Sequence, residues 1–319
     1  MAVAARVLAA AVILGSCSSD PGPTANTTSA GAPATIESVP IPVASASTSV
    51  LATTTTSAST SHVTTDLSAA ELAGELTTVE RAAAFGDGTV GARQQLLYRY
   101  LAAHADFDDD VLVAVGDDVR PSIERIVSAR QLGQARQAAN PNPAAPSTTL
   151  PAWTVVDPLP PDELLGDYHD AETATGIAWY WLAAIHLQET RMGRIIGTSS
   201  AGAIGPMQFL PTTWERCCTG DSTVPRDAII GAATYLAQSG GPTDMQAALH
   251  AYNPNDSYVA TVTAFAENLR DSPQLYDAYR QWQVFYATSA GTVRLPVGYS
   301  AVEPIDAAAY LTQHPEDAG

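Results

Sequence analysis

The sequence predicts a mainly α-helical protein with a small β-hairpin near its C-terminal end. Three observations carry that expectation. Beyond Leu67, apolar residues recur at helical spacing in one stretch after another. Strand-like alternation around a turn occurs near the end, over Val284–Pro296 about Ser289-Ala290-Gly291. The 22 Gly and 22 Pro make up about one residue in seven, below the roughly 25–30% of a wholly disordered chain. A core is therefore affordable within the 319 residues.

The first ordered helix spans Ala69–Phe85, opened by Ser68 and Glu71 at capping-box spacing and closed by Gly86-Asp87-Gly88. A second covers Val90–Ala103, with Leu96, Leu97, Tyr100 and Leu101 on one side. A third helical region, Asp109–Ala138, is interrupted near Gly116 and Pro121. This 67–138 segment carries no catalytic constellation and reads as a packing or spacer module. Asn140–Ala152 (NPNPAAPSTTLPA) reads as part of a linker over 139–152. Further helices are expected over Pro161–Thr173, Thr175–Met192, Thr212–Cys217, Arg226–Gln238, Asp244–Tyr252, Tyr258–Arg270 and Pro273–Gln283. Asp227, Thr243 and Ser272 are the candidate N-caps. Residues 301–319 read as a C-terminal tail.

Charge narrows the partners. There are 15 basic against 33 acidic residues, a net charge of −18, and no Lys. Nucleic-acid binding needs clustered cations, so it is not expected. No apolar run reaches the roughly 18 residues of a spanning helix. Met1–Cys17 instead reads as an export signal: Arg6, a short apolar core Val7–Leu14, then Leu14-Gly15-Ser16-Cys17. That ending resembles the lipobox of bacterial lipoproteins, which implies acylation at Cys17 and membrane anchoring; the alternative is an ordinary secretory signal. Residues 18–66 are Ser, Thr, Ala and Pro with few charges, too poor in apolar surface to offset ordering entropy, and read as a disordered tether. Export puts the adjacent Cys217 and Cys218 in an oxidising compartment. They are disulfide candidates, with two free thiols or interchain pairing as the alternatives.

The chemistry gathers after residue 176. Nine apolar or aromatic residues, Ile177–Ile185, precede His186, so this helix is buried on nearly every face. Glu189 sits near its C-terminal end, where the helix dipole and apolar surroundings both push a carboxyl pKa upward. A general acid near neutral pH needs that shift. The plain alternative is a last-turn pair with Arg191 or Arg194. A glycine-bearing loop follows, Gly197-Thr-Ser199-Ser-Ala-Gly202-Ala203-Ile-Gly205-Pro-Met207-Gln208-Phe-Leu-Pro211. Farther on come Ala251-Tyr252-Asn253 and Tyr258. His186 and Glu189 have no second metal-ligand pair, so neither a metal nor a cofactor is expected.

At these positions the chain resembles the lytic transglycosylases of the lysozyme-like superfamily. The family pattern is a Glu, then Ser-x-x-Gly-Ala-x-Gly-x-Met-Gln, then Pro-x-Thr, then Ala-Tyr-Asn. Glu189, Ser199, Gly202, Ala203, Gly205, Met207, Gln208, Pro211, Thr213, Tyr252 and Asn253 fall in step. Gly205–Trp214 looks most like the membrane-bound lipoprotein branch of actinobacteria. The resemblance implies a goose-type lysozyme (SLT) catalytic domain over 153–300, preceded by the helical segment. It also implies a substrate, the peptidoglycan glycan strand, cut between N-acetylmuramic acid and N-acetylglucosamine to leave 1,6-anhydro ends. Glu189 would be the acid and base. Ser199, Met207, Gln208, Tyr252, Asn253 and, more weakly, Tyr258 would shape the substrate groove. Met207 fits the core as well as a groove wall; Trp153, Trp179, Trp181, Trp214 and Trp282 fit the core better than a sugar platform, with Trp214 the candidate if one faces the glycan. Pro254-Asn255 departs from the Ala-Gly of many relatives. Candidate protein partners are those of cell-wall synthesis or division. The rivals are a hydrolytic muramidase, with Asp221 or Asp227 as second carboxylate, and a non-catalytic wall-binding scaffold.

Overall fold

The computed structural model describes residue 63 and residues 66–319. The export signal, Cys17 and nearly all of the tether lie outside the described residues. Helix α1, Ala69–Ala84, starts at a complete capping box: Glu71 N donates to Ser68 Oγ (3.4 Å) and Ser68 N to Glu71 Oε2 (2.9 Å). Helix α2 is Gly91–Ala103. The region expected over Asp109–Ala138 divides into α3, Asp108–Ala114, and α4, Arg120–Ala139. Pro121 falls in the first turn of α4, where its missing N–H costs no helical bond.

Helix α5, Pro161–Thr175, ends at Gly176 in the left-handed conformation (φ 77°). That stop shortens the next helix at its start, so α6 is Trp179–Thr190 rather than Thr175–Met192. Its other end is set by Arg191 and Met192, both left-handed at φ 56° and 58°. Then come α7 (Pro211–Cys217), α8 (Pro225–Gln238), α9 (Met245–Tyr252), α10 (Asp256–Asp271) and α11 (Leu275–Arg280). None of the three candidate caps holds: Gln274, not Ser272, stands at the cap position of α11. Asp244, not Thr243, caps α9 by accepting from Ala247 N, and α10 starts at Asp256 rather than Tyr258, capped by Asn255. Asp227 lies inside the first turn of α8 and accepts from Asp221 N instead.

Strands are short. Thr149–Leu150 (β1) pairs with Ile305–Asp306 (β6), and Thr154–Val155 (β2) with Ile195–Ile196 (β3). Val284–Thr288 (β4) and Gly291–Leu295 (β5) pair antiparallel from Val284↔Leu295 to Thr288↔Gly291. The Pro-rich 139–152 stretch and the 301–319 tail are thus not loose. Each supplies a strand of the β1–β6 pair, and Ala307–Gln313 adds helix α12. Leu150, Val155, Val284, Val293, Leu295, Tyr299 and Ala307 bury one small core there.

The main core runs without a break from α1–α4 into α5–α11. Trp282 is fully buried and donates to Gln94 Oε1 on α2 (3.0 Å). Asn268 on α10 donates to the Ser122 carbonyl (3.1 Å), and Arg125 on α4 donates back to Asn268 Oδ1 (2.9 Å). Glu80 is buried beneath them, held by Gln94, Tyr98 and Ser122. Burial pushes its carboxyl pKa up, the direction expected of a carboxyl short of water.

Two glycines should respond in opposite senses. A Cβ on Gly91 would lie 1.9 Å from the Ala278 carbonyl oxygen, so Gly91→Ala must part α2 from α11. We expect a loss of about 2 kcal/mol or more in urea unfolding. Gly74, mid-α1, has open space at its Cβ position. Gly74→Ala should gain about 0.5–1 kcal/mol in the same experiment.

Candidate active site

Glu189 is the penultimate residue of α6, half-buried. Leu182–Leu187 just before it are all buried, so its carboxyl stands where an apolar helix leaves the core. Burial pushes its pKa up to about 7. Two opposing influences are smaller: Tyr258 Oη donates to Glu189 Oε1 (2.6 Å), and the Arg191 charge lies near. The last-turn arginines are engaged with backbone. Arg191 is buried and bonds the Leu187 carbonyl, while Arg194 reaches the Arg280 carbonyl (2.8 Å) and Asp157 (3.4 Å).

The loop after α6 is fixed mostly by its own backbone. Ser199 N donates to the Ala203 carbonyl (2.9 Å) and Ala203 N to Ser199 Oγ (3.0 Å), with Gly202 at φ 83° making the turn. Ile204 and Phe209 exchange two backbone hydrogen bonds. Gly205, at φ 77°, admits no side chain: a Cβ would meet the Ser222 carbonyl oxygen at 1.9 Å. Gln208 is left-handed (φ 50°), and its amide donates to the Gly205 (2.9 Å) and Gly197 (3.4 Å) carbonyls. Strain of this kind in a non-glycine residue is characteristic of functional loops.

Three contacts tie the loop to the Glu189 neighbourhood. Thr190 Oγ1 donates to the Pro206 carbonyl (2.6 Å), and Tyr252 Oη to the Met207 carbonyl (2.6 Å). The Tyr252 ring lies parallel to Tyr258, centroids 6.4 Å apart. The structure thus brings Glu189, Tyr258, Tyr252 and the 206–207 backbone into one cluster. Asn253 follows Tyr252 at the end of α9, half-buried. The Met207 side chain is fully buried, so this residue meets the site through its carbonyl. Thr190 was not singled out by sequence; a hydroxyl directly after Glu189, facing a loop that needs an anchor, is its only signal.

Other expectations change. Trp214 is not a sugar platform. It is buried edge-on to Phe209 (5.1 Å) and lies where a Gly231 side chain would have to sit. Asp221 accepts from Thr223 N and Oγ1, which hold its carboxyl below the usual range, while Asp227 accepts from Asp221 N. Both carboxylates build the turn into α8. Cys217 and Cys218 form a disulfide between neighbours at the end of α7, with Cys218 Sγ near the Gly231 carbonyl. Among the described residues, His314, Glu316 and Asp317 are the group of potential metal donors that meet, and Asp317 is already bonded by Arg294 and Tyr310.

The chain is similar to the membrane-bound lytic murein transglycosylase F of Thiobacillus denitrificans. The two are 26% identical over 146 residues, 43% of this chain and 31% of that protein. This supports a distant lytic transglycosylase relationship. The matched part spans about a third of the relative's length. No family model matches, and no solved structure matches.

The Glu189 shift has a sign that can be checked. Its folded pKa lies above the ordinary value, so the folded state holds the extra proton and loses stability as pH rises from about 4.5 through 7. Glu189→Gln removes that loss. It should stabilise the chain more at pH 8 than at pH 5, by about 1–2 kcal/mol given the partial exposure, in paired thermal melts. Tyr258→Phe removes a hydrogen bond that favours the ionised form. The Glu189 carboxyl, followed by ¹³C NMR, should then titrate above its wild-type midpoint.

Proposed function

We propose that the chain is a peptidoglycan lytic transglycosylase. It cleaves the β-1,4 bond between N-acetylmuramic acid and N-acetylglucosamine and leaves 1,6-anhydro-muramic acid ends. One observation carries this reading: a half-buried Glu189 with pKa about 7, bonded to Tyr258, beside a loop of constrained glycines and Gln208. Such a carboxyl keeps a proton at neutral pH and gives up or regains it at small cost. The distant likeness to a lytic murein transglycosylase supports the same substrate.

In the proposed reaction the protonated Glu189 donates to the glycosidic oxygen as that bond breaks. The N-acetyl group of the muramic acid shields the developing positive charge at its anomeric carbon. Glu189, now a carboxylate, takes the proton of the muramic 6-hydroxyl, whose oxygen closes the anhydro ring. The residue ends as it began, so one carboxyl serves where ordinary glycosidases use two. Tyr258 steadies the ionised form between the two transfers. Ser199, Gln208, Tyr252 and Asn253 border the groove, and the 206–207 backbone positions the loop. We place the catalytic region at 153–300 and the lipid anchor at Cys17, joined by the 18–66 tether, so that the enzyme is exported and faces the wall as a lipoprotein. A muramidase would need a second carboxylate, and Asp221 and Asp227 are engaged in the α8 turn.

Purified peptidoglycan digested with the full chain and weighed by mass spectrometry tests this. Products one water lighter than hydrolysis products are expected, falling about 10²–10⁴-fold with Glu189→Gln. Full-mass reducing ends would refute the anhydro mechanism. Because the acid must be protonated, the rate should decline as pH rises through about 7, and Tyr258→Phe should move that decline upward.

A further inference from the structure

Two tyrosines meet at the site from neighbouring helices, and one short turn sets how they stand. Tyr252 ends α9, and Tyr258 lies in the first turn of α10. Asn253, Pro254 and Asn255 join the two helices. The residues on either side of the proline are extended, Asn253 at φ −143°, ψ 112° and Asn255 at φ −134°, ψ 114°. Proline favours the first of these, because its ring crowds out helical backbone in the residue before it. Asn255 N then donates to the Asn253 carbonyl (2.7 Å) and closes the turn.

Asn255 also starts α10. Its Oδ1 accepts from Ser257 N (2.9 Å) and Tyr258 N (3.4 Å), and its carbonyl accepts from Val259 N (3.0 Å). Amides in a first turn have no acceptor within the helix, so the turn frays when the capping side chain is lost. The neighbouring acid is committed elsewhere: Asp256 bonds Arg136 of α4 and lies 3.8 Å from His250 Nε2. The Tyr258 ring is buried and parallel to Tyr252. Its hydroxyl therefore reaches Glu189 Oε1 (2.6 Å) from the place where that first turn holds it.

We propose that Asn255 is a positioning residue of the site: it acts on Glu189 through Tyr258, by fixing the helical turn from which the tyrosine hydroxyl reaches the carboxyl. The proposal rests on Glu189 being the acid of the site, but not on which bond that acid cleaves. Neither Ala nor Gly at 254 and 255 would supply both the restriction on Asn253 and the acceptor for the Tyr258 amide. The charged groups along this path are Arg191 beside Glu189, and Arg136, His250 and Asp256 around the turn. Exchanging Asn255 for another neutral residue leaves all four in place, so a change at Glu189 would report the hydrogen bond and not a lost charge.

The test is a pH titration of the Glu189 carboxyl by ¹³C NMR in the full chain, wild type and variants. Asn255→Ala should raise the midpoint, in the same direction as Tyr258→Phe and by at least half as much, because the ionised carboxyl loses its donor. Asn255→Ser restores a capping oxygen and should titrate as the wild type does. The double variant N255A/Y258F should titrate as Tyr258→Phe alone, since the path is already cut. Ser68→Ala, which removes the α1 cap, controls for lost stability and should leave the midpoint unmoved. Should Asn255→Ala fail to fold, Asn255→Gly removes the same acceptor at smaller cost in stability and carries the same expectation. An unmoved midpoint in Asn255→Ala or in Tyr258→Phe would overturn the proposal. So would an Asn255→Ser midpoint raised as far as that of Asn255→Ala, or shifts that add in the double variant. Peptidoglycan digests without anhydro ends would count against the proposed reaction, while titrations as expected would still support the role of Asn255.

Discussion

Everything in the candidate site depends on the burial of α6. A helix with apolar residues on nearly every face must run through the core, and it carries its last turn to the edge of the core with it. Glu189 is the first ionisable group the chain presents there. Its proton affinity is a property of the whole interior: it follows from Leu182–Leu187 being shielded from water, more than from any one neighbour. The left-handed pair Arg191 and Met192 then turns the chain back, so the loop that follows lies against the same helix end.

Glycine does the complementary work. Gly205 lets one strand of that loop press on the Ser222 carbonyl, and Gly202 closes its turn. Thr190 and Tyr252 then fasten the loop by its carbonyls rather than by its side chains. Side chains such as Gln208 are consequently set by a backbone that has little freedom to relax. The tyrosine pair links two helices to this arrangement, since Tyr252 ends α9 and Tyr258 lies in the first turn of α10.

Much of this was legible in the sequence because it rests on local signals. The α1 capping box, the apolar run of α6 and the burial argument for Glu189 each need only a few neighbouring residues. What sequence hid was set by contacts between distant segments. That Trp214 belongs to the core and not to a sugar platform depends on Gly231 of α8, whose missing side chain leaves room for the ring. Asp221 and Asp227 could serve as a second carboxylate on sequence alone, but they bond the turn between them. The α6 start moved because Gly176 can adopt a left-handed stop, a choice that helical periodicity does not record. The order of 139–152 and 301–319 was illegible for the same reason: β1 and β6 pair across more than half the described chain.

The shared core of α1–α4 with α10 and Trp282 bears on how such a chain can be inherited. A recombination break at the Pro-rich stretch near residue 140 looks harmless in the gene. It would strip Gln94 from Trp282 and Ser122 from Asn268. The unit that can be exchanged between proteins is therefore the whole of 67–319, and its early helices must change in step with its late ones.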